Sequence, residues 1–484
     1  MPRLSRATYS GLGYDPAALE IGIVHLGVGA FHRAHQAAYS DDVLKAGDRR
    51  WGTIGASLRA ADTRDALRPQ DFLYTLAERD EAGEHLRVIA ALRDIVVAPE
   101  SPQALIEAMC RPTVKIVSLT VTEKGYCHDP ASGELNEDHA DIRHDLANPH
   151  APRSAPGFLA AALRERQRRG LEPFTVLTCD NLPSNGNTVR KVVTRFAALL
   201  DPGFGRFVAD SVAFPSTMVD RIVPATTDAD RAHIERTLGL HDAWPVVTEA
   251  FTQWVIEDRF PQGRPDWAAT FVIDVAPFEL MKLRLLNGAH SSLAYLGYLA
   301  GHETVADAMA DEALAHFIAR LMHDEVTPTL KIPPGADVES YKAALLARFR
   351  NPSLRHRTWQ IAMDGSQKLP QRLLGTIRDR LRADAPIACL AMGVAAWMRY
   401  VTGIDETGCA IDVRDPLRDE LRRGSDAAGL DAARLAPALL AMDKIFGADL
   451  AQDQRFTSAV TASLDSLIRF GARATLENFR RQNP

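Results

Sequence analysis

Cysteine is scarce: five residues in 484, none of them in a Cys-x-x-Cys pair. That is too few and too scattered for a disulfide framework, and it points to a reducing compartment. Long apolar runs are missing too. No stretch approaches the ~18 residues of a membrane span, and the first twenty residues, MPRLSRATYSGLGYDPAALE, lack the apolar core of a signal peptide. The expectation is a cytoplasmic protein without a membrane partner. Positive charge is not in excess either: 56 Lys and Arg stand against 62 Asp and Glu, a net charge of −6, which argues against a nucleic-acid partner. There is no HExxH, no GxSxG elbow, no GxxxxGK[ST] loop and no thiol-enzyme motif. His25, His32 and His35 lie close in sequence, but without companion ligands they give no metal site.

What is present is an ordinary globular balance, 46% hydrophobic and 24% charged. Apolar runs at Ile21–Leu26, Trp51–Leu58, Leu86–Ile95, Lys115–Thr120, Phe174–Cys179 and Phe207–Phe214 read as strands. They alternate with helix-compatible stretches such as Ala61–Arg68, Ser101–Cys110 and Ala160–Arg169. Such alternation predicts an α/β fold with a parallel sheet covered by helices on both faces. Beyond about residue 275 helical patterns take over, at Phe278–Ala300, Glu303–His323, Val338–Arg350, Pro386–Val401 and Ala436–Phe446. The break between the two regimes falls within residues 270–277.

Three places carry chemistry. Ile21–Leu26 runs into Gly27-Val28-Gly29 and a helix-compatible stretch beginning Ala30-Phe31-His32. Strand, glycine turn and helix let backbone amides meet a pyrophosphate; His32 replaces the third glycine of GxGxxG, so a ligand-free tight turn is the alternative. After the second strand, Leu58-Arg59-Ala60-Ala61-Asp62 offers an acid that favours NAD and a cation that leaves NADP open. Asp62 suits a helix N-cap equally well.

The second place is Phe278–His290, FELMKLRLLNGAH. On an α-helix with Lys282 at zero, Glu279 falls at about 60°, His290 at about 80° and Asn287 at about 140°, with Arg284 pointing away at about 200°. A lysine in apolar surroundings loses ammonium solvation and can serve as a general base, and Asn287 and His290 can steady an alkoxide. The alternative is a snorkelling lysine paired with Glu279. The third place is Cys179–Gly186, CDNLPSNG, at the carboxyl end of a strand, where open α/β sheets place ligands. Asn181 can donate to an oxyanion there or belong to a turn. Glu123, after another strand, holds an equivalent edge.

On Gly27–Gln36 (GVGAFHRAHQ), Val212–Pro224 (VAFPSTMVDRIVP) and the Lys282, Asn287-Gly288, His290 helix, the sequence resembles the mannitol dehydrogenase family of long-chain, metal-independent polyol dehydrogenases over nearly its whole length. The resemblance implies a Rossmann-type dinucleotide-binding domain over residues 1–274 and a mainly α-helical substrate-binding and catalytic domain over 275–484. By it, Gly27, Val28, Gly29, Ala30 and Phe31 form the cofactor turn, Lys282 is the general base, Asn181 and Asn287 hold the oxyanion, and His290 orients the substrate. Asp220 and Lys368 match polar substrate positions. Glu279 and Glu123 match carboxylates of a proton path, Glu123 counting also among the cofactor positions. Asp62 matches an acid that favours NAD, although Ala61 replaces a second acid and NADP stays open.

Within the family, Arg111–Cys127, Met281–Gly297 and Asn351–Leu374 look closer to members acting on fructuronate and mannonate, while Cys179–Gly186 reads more like the mannitol-oxidising members. Arg355, Arg357 and Arg372 flank Lys368, and a sugar-acid carboxylate calls for a guanidinium fork; surface ion pairs are the alternative for each arginine. The expectation is an NAD(P)-dependent dehydrogenase acting on a secondary alcohol of a linear sugar acid, or else of a polyol such as mannitol, arabinitol or sorbitol. The oligomeric state is open. A non-catalytic NAD(H)-binding redox sensor is a remote rival that has no use for the lysine face.

Overall fold

The run IGIVHL is apolar without alternation because both of its faces are covered. Ile23 packs into one hydrophobic core and Val24 and Leu26 into another, on opposite sides of a parallel sheet. Ile116 and Val117, and likewise Leu177 and Val176, divide between the same two cores. In this computed structural model, which describes residues 1–80, 82–129, 132–333 and 335–483, the chain falls into two compact units, Met1–Ala276 and Pro277–Pro484.

Among the described residues the first unit contains strands β1 (Ile21–Leu26), β2 (Gly52–Ser57), β3 (Tyr74–Asp80), β4 (Gly83–Ile89), β5 (Leu92–Val97), β6 (Ile116–Leu119), β7 (Thr175–Thr178), β8 (Thr217–Asp220), β9 (Val246–Glu249), β10 (Gln253–Glu257) and β11 (Thr270–Val272). Five of them form an all-parallel sheet in the order β5-β2-β1-β6-β7. Counted along the chain this is the 3-2-1-4-5 order of a Rossmann fold, with its switch point between β1 and β6. Two smaller sheets, β4-β3-β9 and β11-β10-β8, complete the unit.

Two strand expectations are corrected. The run Leu86–Ile95 is not one strand: it ends β4, an edge strand hydrogen-bonded to β3, passes Ala90-Ala91, and begins β5 of the parallel sheet. Both halves are apolar because each enters a core. Phe207–Phe214 is mostly helical, belonging to the helix Pro202–Ser211. Asp201 caps that helix by accepting from the Phe204 amide at 2.7 Å, Pro202 fits the first turn, and Phe204 and Val208 bury one helical turn apart. The strand signal was helix periodicity seen over too short a window.

The second unit is mainly helical. Ala289–Leu299 and Ala388–Val401 pack together, and Gln454–Gln482, two helices that meet at a kink at Gly471, lies against the latter. The expected helix Glu303–His323 breaks at Asp311, whose carboxylate caps a new helix, Glu312–Arg320, through the amides of Ala313 and Leu314. Likewise Ala436–Phe446 spans two helices, Ala432–Leu440 and Asp443–Gln452. Phe278–Ala300 contains two α-helical pieces, Ala276–Met281 and Ala289–Leu299, joined by a π-helical turn, Lys282–Gly288. No helix among the described residues is long and apolar enough to cross a membrane.

Close helix approach in this unit depends on glycine. A Cβ on Gly365 would overlap the indole of Trp397 and lie 2.5 Å from the Tyr295 hydroxyl. Gly365→Ala should therefore destabilise the protein by about 1–3 kcal/mol despite the better helix propensity of alanine. Urea unfolding followed by tryptophan fluorescence checks this; an unchanged or higher midpoint contradicts it.

Candidate active site

The glycine turn after β1 is shaped by neighbours that leave no room for a side chain. Gly27 has φ +93°, and a Cβ there would overlap the carbonyl of Thr120. Its amide bonds to the Ala56 carbonyl at 2.8 Å and its own carbonyl accepts from the Gly29 amide at 2.7 Å. Gly29 is the N-cap of the helix Ala30–Ala34 and has no side chain to cap it. A Cβ at Gly29 would meet nothing nearer than 3.9 Å, so the backbone there faces open space. Val28 is buried against Gly55 of β2.

Beneath the turn lies a buried polar network that the sequence did not disclose. His25 Nδ1 pairs with Ser118 Oγ and Nε2 with Thr120 Oγ1, each at 2.8 Å; Ser118 donates to Gln36 Oε1 at 2.8 Å, and Thr120 donates to the Gly27 carbonyl at 2.7 Å. His32 stacks on His25 with ring centroids 3.5 Å apart, while His35 packs on Phe31 and its Nε2 donates to the Gln253 carbonyl at 3.2 Å. These histidines are thus packing and hydrogen-bonding groups. The set of described residues whose ligand atoms lie close enough to hold a metal ion is a different one, Cys127, His139 and Asp141.

Asp62 is not an N-cap: Ala61 holds that position, and Asp62 begins the helix Asp62–Leu67, exposed just beyond β2 together with Arg59. Glu123 is exposed at the start of a short turn after β6, next to Thr122, whose φ of +64° is a left-handed conformation unusual for threonine. Asn181 is exposed beyond β7, and Asp220 is buried at the end of β8.

Two residues beside Asn181 were overlooked. Asp180 accepts from the amides of Val121 and Thr122 at 2.9 and 3.1 Å and from the Tyr126 hydroxyl at 2.7 Å, tying the loops after β6 and β7 together. Burial pushes its carboxyl up, and these three donors oppose the shift. Asn185 holds the β7 loop to β8 through both backbone groups of Thr217, each at 2.9 Å. The only hint in the sequence was their place within CDNLPSNG.

In the second unit Lys282, at 8% exposure, opens the π-helical turn, with Glu279 in the preceding helix and His290 in the following one. The helical-wheel positions derived for a continuous α-helix are therefore corrected. In π geometry the backbone hydrogen bond runs from i to i+5, so residues five apart stand one above the other. Lys282 and Asn287 are five apart and share a face, closer than an α-helix would bring them. Arg284 does point elsewhere, donating to Asp379 at 2.6 Å and Thr329 Oγ1 at 2.8 Å.

A second π-helical turn, Pro370–Leu374, packs on the first where Gly288 leaves only 2.8 Å between its absent Cβ and the Arg372 carbonyl. Arg372 Nη1 donates to Ser291 Oγ at 3.0 Å, next to His290. Lys368 donates to the Met363 and Ile361 carbonyls at 2.5 and 3.3 Å. His356, a residue that no motif in the sequence marks, meets His290 edge-on with ring centroids 5.0 Å apart. The other two arginines stay outside: Arg355 is exposed, and Arg357 is an exposed partner of Glu303 at 3.6 Å.

Comparison with known proteins agrees with this architecture. Residues 21–269 match the mannitol dehydrogenase Rossmann domain and residues 274–468 the mannitol dehydrogenase C-terminal domain. D-mannonate oxidoreductase of Escherichia coli K12 is 48% identical over 469 residues, covering 95% of this chain and 96% of that protein. Mannitol 2-dehydrogenase of Aspergillus terreus is 40% identical over 474 residues, covering 96% and 94%. The solved structure of Pseudomonas fluorescens mannitol 2-dehydrogenase, a ternary complex with NAD and D-mannitol, matches with a TM-score of 0.89 and 38% identity over 100% of both chains. The chain is accordingly a Rossmann-type oxidoreductase, a dehydrogenase acting on CH–OH groups. More narrowly, it belongs to the mannitol dehydrogenase family.

Four imidazoles are held neutral by burial: His25 falls to about 3 and His356 to about 4, while His32 and His290 lie well below 6.5. The unfolded chain takes up these protons near pH 6.5, so below that pH it binds more protons than the folded one. Stability is fully present above the unfolded value and is lost as pH falls toward the folded ones. Urea midpoints should be flat above about pH 7 and decline from 6.5 to about 5.5, above the range where carboxylates titrate. A midpoint that holds or rises across that window contradicts the assignment.

Proposed function

We propose that the chain is an NAD-dependent dehydrogenase that interconverts a secondary alcohol and a ketone on a linear sugar acid, D-mannonate and D-fructuronate, with Lys282 as general base and no metal. The groups for the dinucleotide are in the first unit and the base is in the second. The glycine turn fits the cofactor's pyrophosphate, because Gly27 excludes a side chain and Gly29 exposes backbone with room before it. Gly27, Val28, Gly29, Ala30 and Phe31 line that turn, and Asp62, exposed beyond β2, is the acid for the adenosine ribose. Bound nicotinamide supplies the hydride acceptor or donor.

The observation that carries the reading is the π-helical turn, which sets the buried Lys282 and the half-buried Asn287 on one face. Neutral Lys282 removes the hydroxyl proton of the alcohol, and Glu279, three residues earlier, is the carboxylate through which that proton leaves. The Asn287 amide donates to the oxygen as charge builds on it. His290 donates to a substrate hydroxyl and orients it. Asp220 and Lys368 bind further substrate oxygens. Asn181 and Glu123 keep the roles the family resemblance implies, oxyanion donor and proton-path carboxylate. The redox-sensor rival leaves the Lys282 face without a purpose.

The sugar acid comes first because the D-mannonate oxidoreductase is the more similar of the two named enzymes and because Arg372 adjoins His290. Mannitol and fructose are the second reading, supported by the match to the mannitol-bound structure.

Lys282→Met should lower kcat for alcohol oxidation by about 10²–10⁴-fold while NADH still binds, as followed by nicotinamide fluorescence. Near-normal turnover in Lys282→Met sinks the mechanism. With NADH, reduction of fructuronate should exceed that of fructose; the reverse order favours the second reading.

A further inference from the structure

We infer that His356 and Arg372 form a carboxylate-binding subsite beside His290, which reads the acid end of the substrate. The inference rests on the sugar-acid reading above and names the groups that make the distinction. Its geometric basis is a pair of imidazoles, His290 buried and His356 half-buried, each with a buried ring nitrogen. His290 is 8% exposed and its Nε2 is buried without a hydrogen-bond partner; His356 Nδ1 is in the same condition. Phe349 stacks on His290 with ring centroids 4.9 Å apart, so the ring is held in place. A buried polar nitrogen left unsatisfied costs about 1–3 kcal/mol, and native proteins keep such groups chiefly where a ligand or water completes them.

Charge supplies the second basis. After burial itself, the groups acting on His290 are His356, Arg372, Arg348 and Lys368, and the group acting on His356 is Lys368. All of these are cations or can become one. Both imidazoles are neutral, so each keeps one N–H to donate. Arg372 is oriented by Ser291, and Lys368 is pinned by two carbonyls, which fixes the positive field in space. A neutral polyol gains little from that field. A carboxylate gains from it everywhere, and a planar guanidinium beside an imidazole N–H matches its two oxygens. Arg355 and Arg357, turned to the surface, take no part.

The test is the ratio of kcat/KM for fructuronate to that for fructose, both reduced with NADH. Arg372→Met should lower the ratio about 30-fold and His356→Asn about tenfold, both through KM, as expected for loss of a charge-assisted hydrogen bond. Arg372→Lys, which keeps the charge, should recover part of the loss. Ratios that move less than about threefold in both variants, or equal losses on both substrates, overturn the subsite. A wild type that reduces fructose but not fructuronate also overturns it, and leaves the dehydrogenase reading standing. If the wild type reduces neither, that reading fails and the subsite is judged by calorimetry with D-mannonate: weaker binding to Arg372→Met upholds it, equal binding overturns it.

Discussion

The second unit is organised around a contact that only glycine permits. Gly288 closes one π-helical turn and presses its backbone against the Arg372 carbonyl in another. Most of the polar groups assigned to substrate chemistry in this unit lie in or next to one of the two turns, His356 being the exception. The first turn carries Lys282 and Asn287 and runs directly into His290; the second carries Arg372 and follows directly on Lys368. π-Helical turns are rare and occur frequently at functional sites. Here the surrounding helices, buried around Tyr295 and Trp397, supply the packing that keeps both turns in place.

The first unit solves a different problem, that of keeping backbone amides exposed and immobile at once. The glycine turn gains its rigidity from below, where His25, Ser118, Thr120 and Gln36 are joined through hydrogen bonds. Asp180 does the same for the neighbouring loops, drawing two amides and a phenol onto one carboxylate. Groups of this kind determine where the exposed backbone lies.

Much of this was legible in the sequence, because buried parallel strands are continuous apolar runs and IGIVHL followed by GVG is the pattern of such a strand entering a tight glycine turn. The lysine face was legible as a set of residues but not as a geometry: nothing in FELMKLRLLNGAH marks a π-helical turn, so the wheel positions came out for the wrong helix. The helix Pro202–Ser211 was misread because Phe207 to Phe214 looks apolar in a short window, while its start signal, Asp201-Pro202, lies upstream. Asp180 and His356 escaped because their meaning depends on partners far away in sequence. The arginines around Lys368 show the same limit, since only Arg372 of the three points inward, and chain spacing does not reveal direction.

A π-helical turn accommodates one residue more than an α-helical turn of the same span, and this gives the segment Lys282–Gly288 an unusual sensitivity to length. Loss of a single residue from its middle would leave a well-formed, apolar α-helix that still packs, so the fold would have little reason to object. The register between Lys282 and Asn287 would nevertheless be broken. In this segment a change of length, rather than of side chain, separates a stable protein from a competent enzyme.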